Sequence, residues 1–207
     1  MSRAFRQIGS GTTPPVSIEA FYRDGEHNWI NTGDLNDSIV LDSQTKLSNL
    51  ALKTFSSLKV YPPGSLLVAM YGATIGKVGI LGVPACVNQA CCVLGRPIKT
   101  STEYAFYWFL AHRKAIVGLS YGGGQPNISQ ETIRSLKITV PPKAEQDIIV
   151  ASIQTQTAKL DALLSKYNRE LELLAEYRAS LISHVVTGKI DVLSLVTTNQ
   201  LDSVGAK

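Results

Sequence analysis

From Ala144 to Thr187 the chain runs 44 residues without a glycine or a proline, and nothing else in it restricts the fold as tightly. A stretch of that kind reads as one α-helix, about 66 Å long at 1.5 Å per residue. Pro142 is placed to start it and Gly188 to end it, since proline suits the first helical turn and glycine the left-handed position after the last. Along the stretch Ile153, Leu160, Tyr167, Leu174 and Leu181 recur every seven residues, and Leu164, Leu171 and Val185 follow three of them by four. With Lys166, Arg169, Glu170, Glu172 and Glu176 beside it, that stripe has the spacing of a coiled-coil seam. The alternative is a helix lying on its own domain's core, but ~66 Å exceeds the diameter of a domain of about 140 residues. About eight large apolar side chains left in water would cost on the order of 1.5–3 kcal/mol each, so the seam calls for a partner.

Upstream of Pro141-Pro142 the pattern changes: Gly and Pro punctuate short β-branched and aromatic runs. Leu66-Leu67-Val68-Ala69-Met70-Tyr71 and Lys77-Val78-Gly79-Ile80-Leu81 are strand candidates around a turn, and residues 85–94 form a third apolar run of strand length. Residues 101–117 suit a helix capped by Ser101 or Thr102, with its aromatic face in the core. Gly122-Gly123-Gly124-Gln125-Pro126-Asn127 reads as a loop. Ser129 then caps a short helix through Leu136, and residues 137–140 return as a strand. The expected fold class is α+β: a mixed, β-rich domain over 1–142, then one long coiled-coil helix within 143–192. The tail, 193–207, has no period and is expected to be disordered.

The charge is divided unevenly. Residues 1–142 hold 13 Lys/Arg against 8 Asp/Glu, a charge of +5, whereas 143–207 hold 7 against 8, a charge of −1, so the excess sits on the first part. That part could face an acidic polymer, although many domains of this charge never do. Cys86, Cys91 and Cys92 are an odd number inside an apolar segment, with neither a disulfide framework nor a Cys-x-x-Cys metal spacing. They read as buried reduced thiols, which points to a cytoplasmic protein. No apolar run is long enough to span a bilayer, and the first residues lack a signal peptide's apolar stretch.

Motifs for chemistry are missing. Gly72-Ala73-Thr74-Ile75-Gly76-Lys77-Val78 has one residue too few for a phosphate-binding loop and ends in Val. Gly9-Ser10-Gly11-Thr12-Thr13-Pro14 lacks the third glycine of a dinucleotide fingerprint. His27, His112 and His184 show no paired-ligand spacing, and there is no nucleophile elbow. None of the three Pro-Pro pairs sits in the Asn/Asp-Pro-Pro-aromatic setting of an adenine methyltransferase. The expectation is a non-catalytic chain with no metal and no cofactor, whose partners do the chemistry.

Ile8-Gly9-Ser10-Gly11-Thr12-Thr13-Pro14 is followed in order by Trp29-Ile30-Asn31-Thr32-Gly33-Asp34-Leu35, by Gly64-Ser65-Leu66 through Gly76-Lys77, and by Asn88-Gln89-Ala90. Gln125-Pro126-Asn127-Ile128 comes next, then Val140-Pro141-Pro142-Lys143-Ala144-Glu145-Gln146. Glu176-Tyr177-Arg178-Ala179-Ser180-Leu181 and Val186-Thr187-Gly188-Lys189-Ile190 close the series. Each piece alone is weak, but the ordered set, from about residue 8 to 192, specifically resembles the specificity (S) subunit of type I restriction-modification systems. In that family the segment from Val140 to Gln146 is the junction between domain and helix. A full S subunit carries two recognition domains and two such helices, and this chain has one of each. It is therefore half-length, either a natural half-subunit or a fragment of a longer one.

The resemblance implies a target-recognition domain reading one half of a split double-stranded DNA target. The helix would be a spacer and docking surface for the methyltransferase (M) and restriction (R) subunits. A half-subunit would pair as a homodimer by antiparallel packing of its helix, through Ile153, Leu160, Leu164, Tyr167, Leu171, Leu174, Leu181 and Val185. Base contacts in the major groove are expected from Asn31, Thr32, Asp34, Thr74, Lys77, Gln125 and Asn127. Lys46, Lys53, Lys59, Arg113 and Lys114 are candidates for phosphates. Against the base contacts stands the ordinary role of such residues, which satisfy turn backbone. Two other readings remain: a coiled-coil interaction module that binds no DNA, and a small DNA-modifying enzyme acting alone.

Overall fold

The computed structural model of the protein describes residues 1–120 and 126–190, so Gln125, the glycine loop before it and the tail after Ile190 lie outside the described residues. The chain forms two units, Met1–Ser152 and Ile153–Lys207.

In the first unit the strands are β1 (Phe5–Gly9), β2 (His27–Ile30), β3 (Ser38–Val40), β4 (Lys46–Leu47), β5 (Leu66–Ala69), β6 (Val78–Leu81), β7 (Ala85–Val87) and β8 (Cys91–Pro97). The helices are α1 (Asn49–Thr54), α2 (Thr102–Val117), α3 (Gln130–Ser135) and the start of α4 (Lys143–Val186). One sheet has the order β1-β8-β5-β6-β3, antiparallel except for the β3–β6 pair; the other has the order β4-β2-β7, with β2 and β7 parallel.

The layering follows from alternation along the strands. Every residue of β5 is buried. Leu66 and Val68 join Phe106, Phe109 and Ile116 of α2 in one core, while Leu67 and Ala69 join Ile30, Val87 and Tyr61 in a second core between the sheets. A strand buried on both faces reads as an unbroken apolar run, which is how β5 appears in sequence. A third core lies on the outer face of the smaller sheet, where Trp29, Leu47 and Cys86 meet Ala51 of α1. The three cysteines are free and buried. Burial pushes the Cys86 thiol up to about 11 and the Cys92 thiol to about 12, so both are thiols, not thiolates, at neutral pH.

The expected caps are present: Ser101 Oγ accepts from Tyr104 N at 3.2 Å, and Ser129 Oγ from Thr132 N at 3.0 Å. Two strand expectations need correction. Residues 85–94 are not one strand, because residues 88–90 turn between β7 and β8. Asn88 N donates to Ile30 O, and Asn88 Oδ1 accepts from Ala90 N at 3.0 Å, so a polar side chain closes the turn inside an apolar run. Residues 137–140 join no sheet. They lie beside α2, where Tyr104 OH donates to Thr139 O at 3.1 Å, and Pro141 and Pro142 after them have no N–H for a ladder.

α4 begins at Lys143, the residue directly after Pro142. Its first turn is held by Gln146, which has no exposed surface. The Gln146 side chain accepts from Ser101 N at 2.8 Å and donates to Lys99 O at 2.9 Å and Pro141 O at 2.8 Å. Gln146→Leu keeps the volume and strands one buried N–H and two carbonyls. The expected loss is about 2–4 kcal/mol in urea unfolding; an unchanged midpoint would show that water replaces the amide.

In the second unit α4 continues to Val186 and closes as the sequence suggests. Gly188, at φ +71, donates to Val185 O, and Lys189 N donates to His184 O, the paired bonds of a Schellman cap. Leu160, Leu164, Tyr167, Leu171, Leu174 and Leu181 are exposed; Ile153 and Val185 are half-buried. Among the described residues no helix is long and apolar enough to cross a membrane.

Candidate nucleic-acid interface

The strand registers bring one set of loops to a single end of both sheets. Gly9 opposes Val93, Ala69 opposes Cys91, Val68 opposes Val78, and Ile30 lies beside Val87. The segments leaving or entering those strand ends, residues 10–14, 31–37, 70–77 and 88–90, therefore converge. Backbone bonds stitch them together: Gly11 N to Asn88 O at 3.2 Å, Met70 N to Ala90 O at 2.8 Å, and Gly72 N to Pro126 O at 3.1 Å.

The first of these segments has no secondary structure of its own and is held by aromatic donors. Tyr61 OH donates to Ser10 O at 3.2 Å, Trp29 Nε1 to Thr12 O at 3.2 Å, and Tyr22 OH to Pro14 O at 2.6 Å. Alternate carbonyls are thus anchored from inside, and Thr13 is left exposed between two of them. Its hydroxyl donates to Oε1 of exposed Gln89 at 2.5 Å. Thr13 and Gln89 were not among the residues expected at the site. The available signal was the polar pair Asn88-Gln89 interrupting an apolar run, a pattern that strand propensity alone passes over.

Of the residues expected to meet bases, Asn31, Thr32, Asp34, Thr74, Lys77 and Asn127 all fall at this end. Several are engaged with the fold. Asn31 N donates to Asp34 Oδ2 at 2.8 Å, and Asn88 Nδ2 donates to Asn31 Oδ1 at 3.0 Å. Thr74 Oγ1 donates to Tyr71 O at 3.1 Å, and the Tyr71 backbone bridges to Asn127. The Asn127 Oδ1 atom is buried with no hydrogen-bond partner among the described residues. Lys77 forms no ion pair among the described residues.

The phosphate candidates divide. Arg113 and Lys114, in the last turns of α2, belong to the loop end. Arg113 is only 32% exposed; it donates from Nε to Gly76 O at 3.0 Å and pairs with Asp37 at 2.5 Å. Asp37 itself, at φ +58, accepts from Val78 N at 3.1 Å. This ion pair ties α2 to the start of β6. Lys114 is exposed and, among the described residues, unpaired. Lys53 lies on α1, which packs on the outer face of the smaller sheet, and Lys59, two residues before the Tyr61–Ala85 bridge, lies at that sheet's opposite end. Lys46 stands between, opposite Asn28 and 3.2 Å from Asp42. No group of His, Cys, Asp or Glu that could hold a metal occurs among the described residues.

Comparison with known proteins agrees with this architecture. The family described as the type I restriction modification DNA specificity domain matches residues 5–173. The EcoKI specificity subunit of Escherichia coli K12 is 28% identical over an aligned stretch of 139 residues that covers 62% of this chain and 29% of that protein. The chain thus spans about a third of the length of such relatives. Among solved structures, a chain from a study of complex assembly and conformational transition in the type I R-M system superposes with a TM-score of 0.61 at 22% identity. That match covers 81% of this chain and 40% of the other. The HsdS subunit of Thermoanaerobacter tengcongensis gives 0.58 at 19% identity, covering 76% and 36%. At these identities the structures establish likeness of fold.

Proposed function

The chain belongs to the type I restriction-modification DNA specificity family, and from that premise we propose that it reads one half of a split double-stranded DNA target for partner subunits that modify and cut. Residues 1–142 are the recognition domain. Residues 143–192 are the spacer and the surface for the M and R subunits, and the chain contributes no catalytic group of its own. Two copies joined through the helix would present two recognition domains related by a two-fold axis, so the target would be a split palindrome whose gap the helix sets. The protein would act in the cytoplasm, where chromosomal DNA and reducing conditions coincide.

The observation that carries this reading is the convergence of loops from both sheets on one end, where half-buried Lys77 and exposed Lys114 share that end with exposed Thr13 and Gln89. Lysines supply sequence-independent phosphate contact, and hydroxyls and amides supply hydrogen bonds to base edges. Arg113, already held by Asp37, positions this surface in our reading, and Lys77 and Lys114 meet phosphate. Lys53, on the helix covering the smaller sheet's outer face, and Lys59, at that sheet's other end, are given no place on the same duplex.

The test is a gel shift with split-palindromic and random duplexes, with and without the methylating subunits. Replacing Lys77 and Lys114 together by alanine should weaken binding evenly across sequences. It should also lower the slope of log affinity against log salt by about 2, one per lost phosphate contact. Absence of binding even with the methylating subunits present would sink the DNA reading and leave a coiled-coil interaction module.

A further inference from the structure

The charges of α4 are of three kinds. Lys143–Asp147, Lys166–Glu170 and Arg169–Glu172 close within the helix at 2.5, 3.9 and 3.0 Å. Glu145, Lys159 and Glu176 form no ion pair among the described residues and fall at outward heptad positions; Arg178 and Asp161 are different. Three and four residues from Arg178 stand Leu174, Ala175, Leu181 and Ile182; from Asp161, Thr157, Ala158, Leu164 and Ser165. Neither finds an opposite charge at helical spacing, and neither forms an ion pair among the described residues.

Their positions make this consequential. The seam has two rows, one through Ile153, Leu160, Tyr167, Leu174 and Leu181, the other through Thr157, Leu164, Leu171, Arg178 and Val185. In heptad terms these are the d and a rows, so Arg178 stands in the middle of the apolar stripe and Asp161 flanks it. A guanidinium carried into a closed seam without a carboxylate would oppose pairing. A parallel pair would be worse, since it sets the two copies of Arg178 in one layer.

Reversing one helix lays its a row against the d row of the other. One such register uses the whole seam: Ile153 meets Val185, Thr157 meets Leu181, and Leu164 meets Leu174, with the two-fold axis at the level of Arg169. Leu160 then meets Arg178, and Asp161 comes beside that guanidinium, twice by symmetry. The flanks agree, because exposed Leu163 meets exposed Tyr177. Sliding by one heptad loses these features. In one direction Val185 would have to meet Gln146, which is fully buried, and Arg178 would face Ile153 beside Gln154. In the other, Thr157 would face Gly188, beyond the last helical residue, and Arg178 would face Tyr167 beside Asn168. Neither alternative offers Arg178 a carboxylate. The full register brings the two copies of Glu170 together at the centre, and Lys166 on the same chain, 3.9 Å away, offsets that repulsion.

We infer that the chain pairs with a second copy of itself, antiparallel about Arg169, and that Arg178 of each copy is locked to Asp161 of the other. This rests on the pairing proposed above and adds its register, its direction and the residues that select them. Such a lock would fix the spacing between two recognition domains to one value, because a one-heptad slip would leave two buried guanidinium groups unpaired.

The experiment is sedimentation equilibrium of the full chain as wild type, Asp161→Arg, Arg178→Glu and the double exchange. Each single reversal should raise the dimer dissociation constant at least tenfold, and the double exchange should return it to within about threefold of wild type. A wild-type monomer would remove the pairing itself. A wild-type dimer that neither reversal weakens, or that the double exchange fails to restore, would remove the lock alone. Helix content by circular dichroism separates either result from misfolding. A second variant reads the register directly: Asn168→Cys lies opposite its own copy only in this register. It should form a disulfide-linked dimer on mild oxidation, the native thiols being buried. A cysteine at Gln154 should not, and the reverse outcome would overturn the register.

Discussion

Replacing Leu164 and Leu171 together by glutamate is expected to convert a dimer of this chain into a folded monomer. The two side chains are 59% and 64% exposed in the single chain, so its own fold gains little from them. In the pair they are central to the seam, and symmetry removes four leucines at once. At ~1.5–3 kcal/mol for each leucine buried, the loss is about 6 kcal/mol or more. That is roughly a 10⁴-fold rise in the dissociation constant. Glutamate is a good helix former, so helix content should hold, and the unfolding transition of the first unit should not move. Sedimentation measures the outcome; an unchanged dimer would place the contact on another face. The substitution tests whether the stripe is the interface at all, which is a separate matter from the Arg178–Asp161 register.

Gly11→Ala is expected to be the most damaging single methyl group at the loop end. A Cβ on Gly11 would stand 1.7 Å from Val87 O and 2.7 Å from Val87 C. Both are backbone atoms of a fully buried strand residue, so no side-chain rotation can relieve the contact. The segment must lift away, losing the Gly11 N to Asn88 O bond and pulling on the Ser10 and Thr12 carbonyls that Tyr61 and Trp29 hold. Overpacking of this kind costs ~1–3 kcal/mol, and the lost bond adds about 1. A fall in Tm of about 10 °C follows for a unit of this size. DNA affinity should fall with it, because Thr13 and Gln89 would no longer be held together. Gly33→Ala is the matched control at the same end, with nothing within 4 Å of its Cβ and no left-handed backbone; it should shift stability by about 0.5 kcal/mol or less. Equal effects from the two substitutions would show that the close approach at Gly11 is not maintained in solution.

How far the sequence could be read depends on how local each signal is. α4 was legible almost to the residue, because absence of Gly and Pro, the seven-residue repeat and a glycine stop all act within a few turns. The caps at Ser101 and Ser129 were legible for the same reason. The continuous apolar run of β5 announced a strand covered on both faces. The run over 85–94 misled, since hydrophobicity alone cannot show that Asn88 turns the chain by bonding to Ala90 within it and to Ile30 and Asn31 far away. Residues 137–140 misled because β-branching invites a strand, whereas a ladder needs a free edge and N–H groups.

At the candidate site the division falls in the same place. Sequence by itself determined the residue types available, the family, the long helix with its apolar stripe, and most of the turns carrying candidate contacts. It could not determine which of those turns meet. That is decided by strand register, a long-range property in which Gly9, Ile30, Ala69 and Val87 finish at one end while Lys59 is carried to the other. Nor could it show that Arg113 is spent on Asp37, 76 residues away, or that Gln146 closes the first turn of the long helix by bonding to Lys99, Ser101 and Pro141. Helices and caps obey neighbours in the chain. Interfaces are made where distant segments satisfy one another's polar groups, and only the packed tertiary structure fixes those partners.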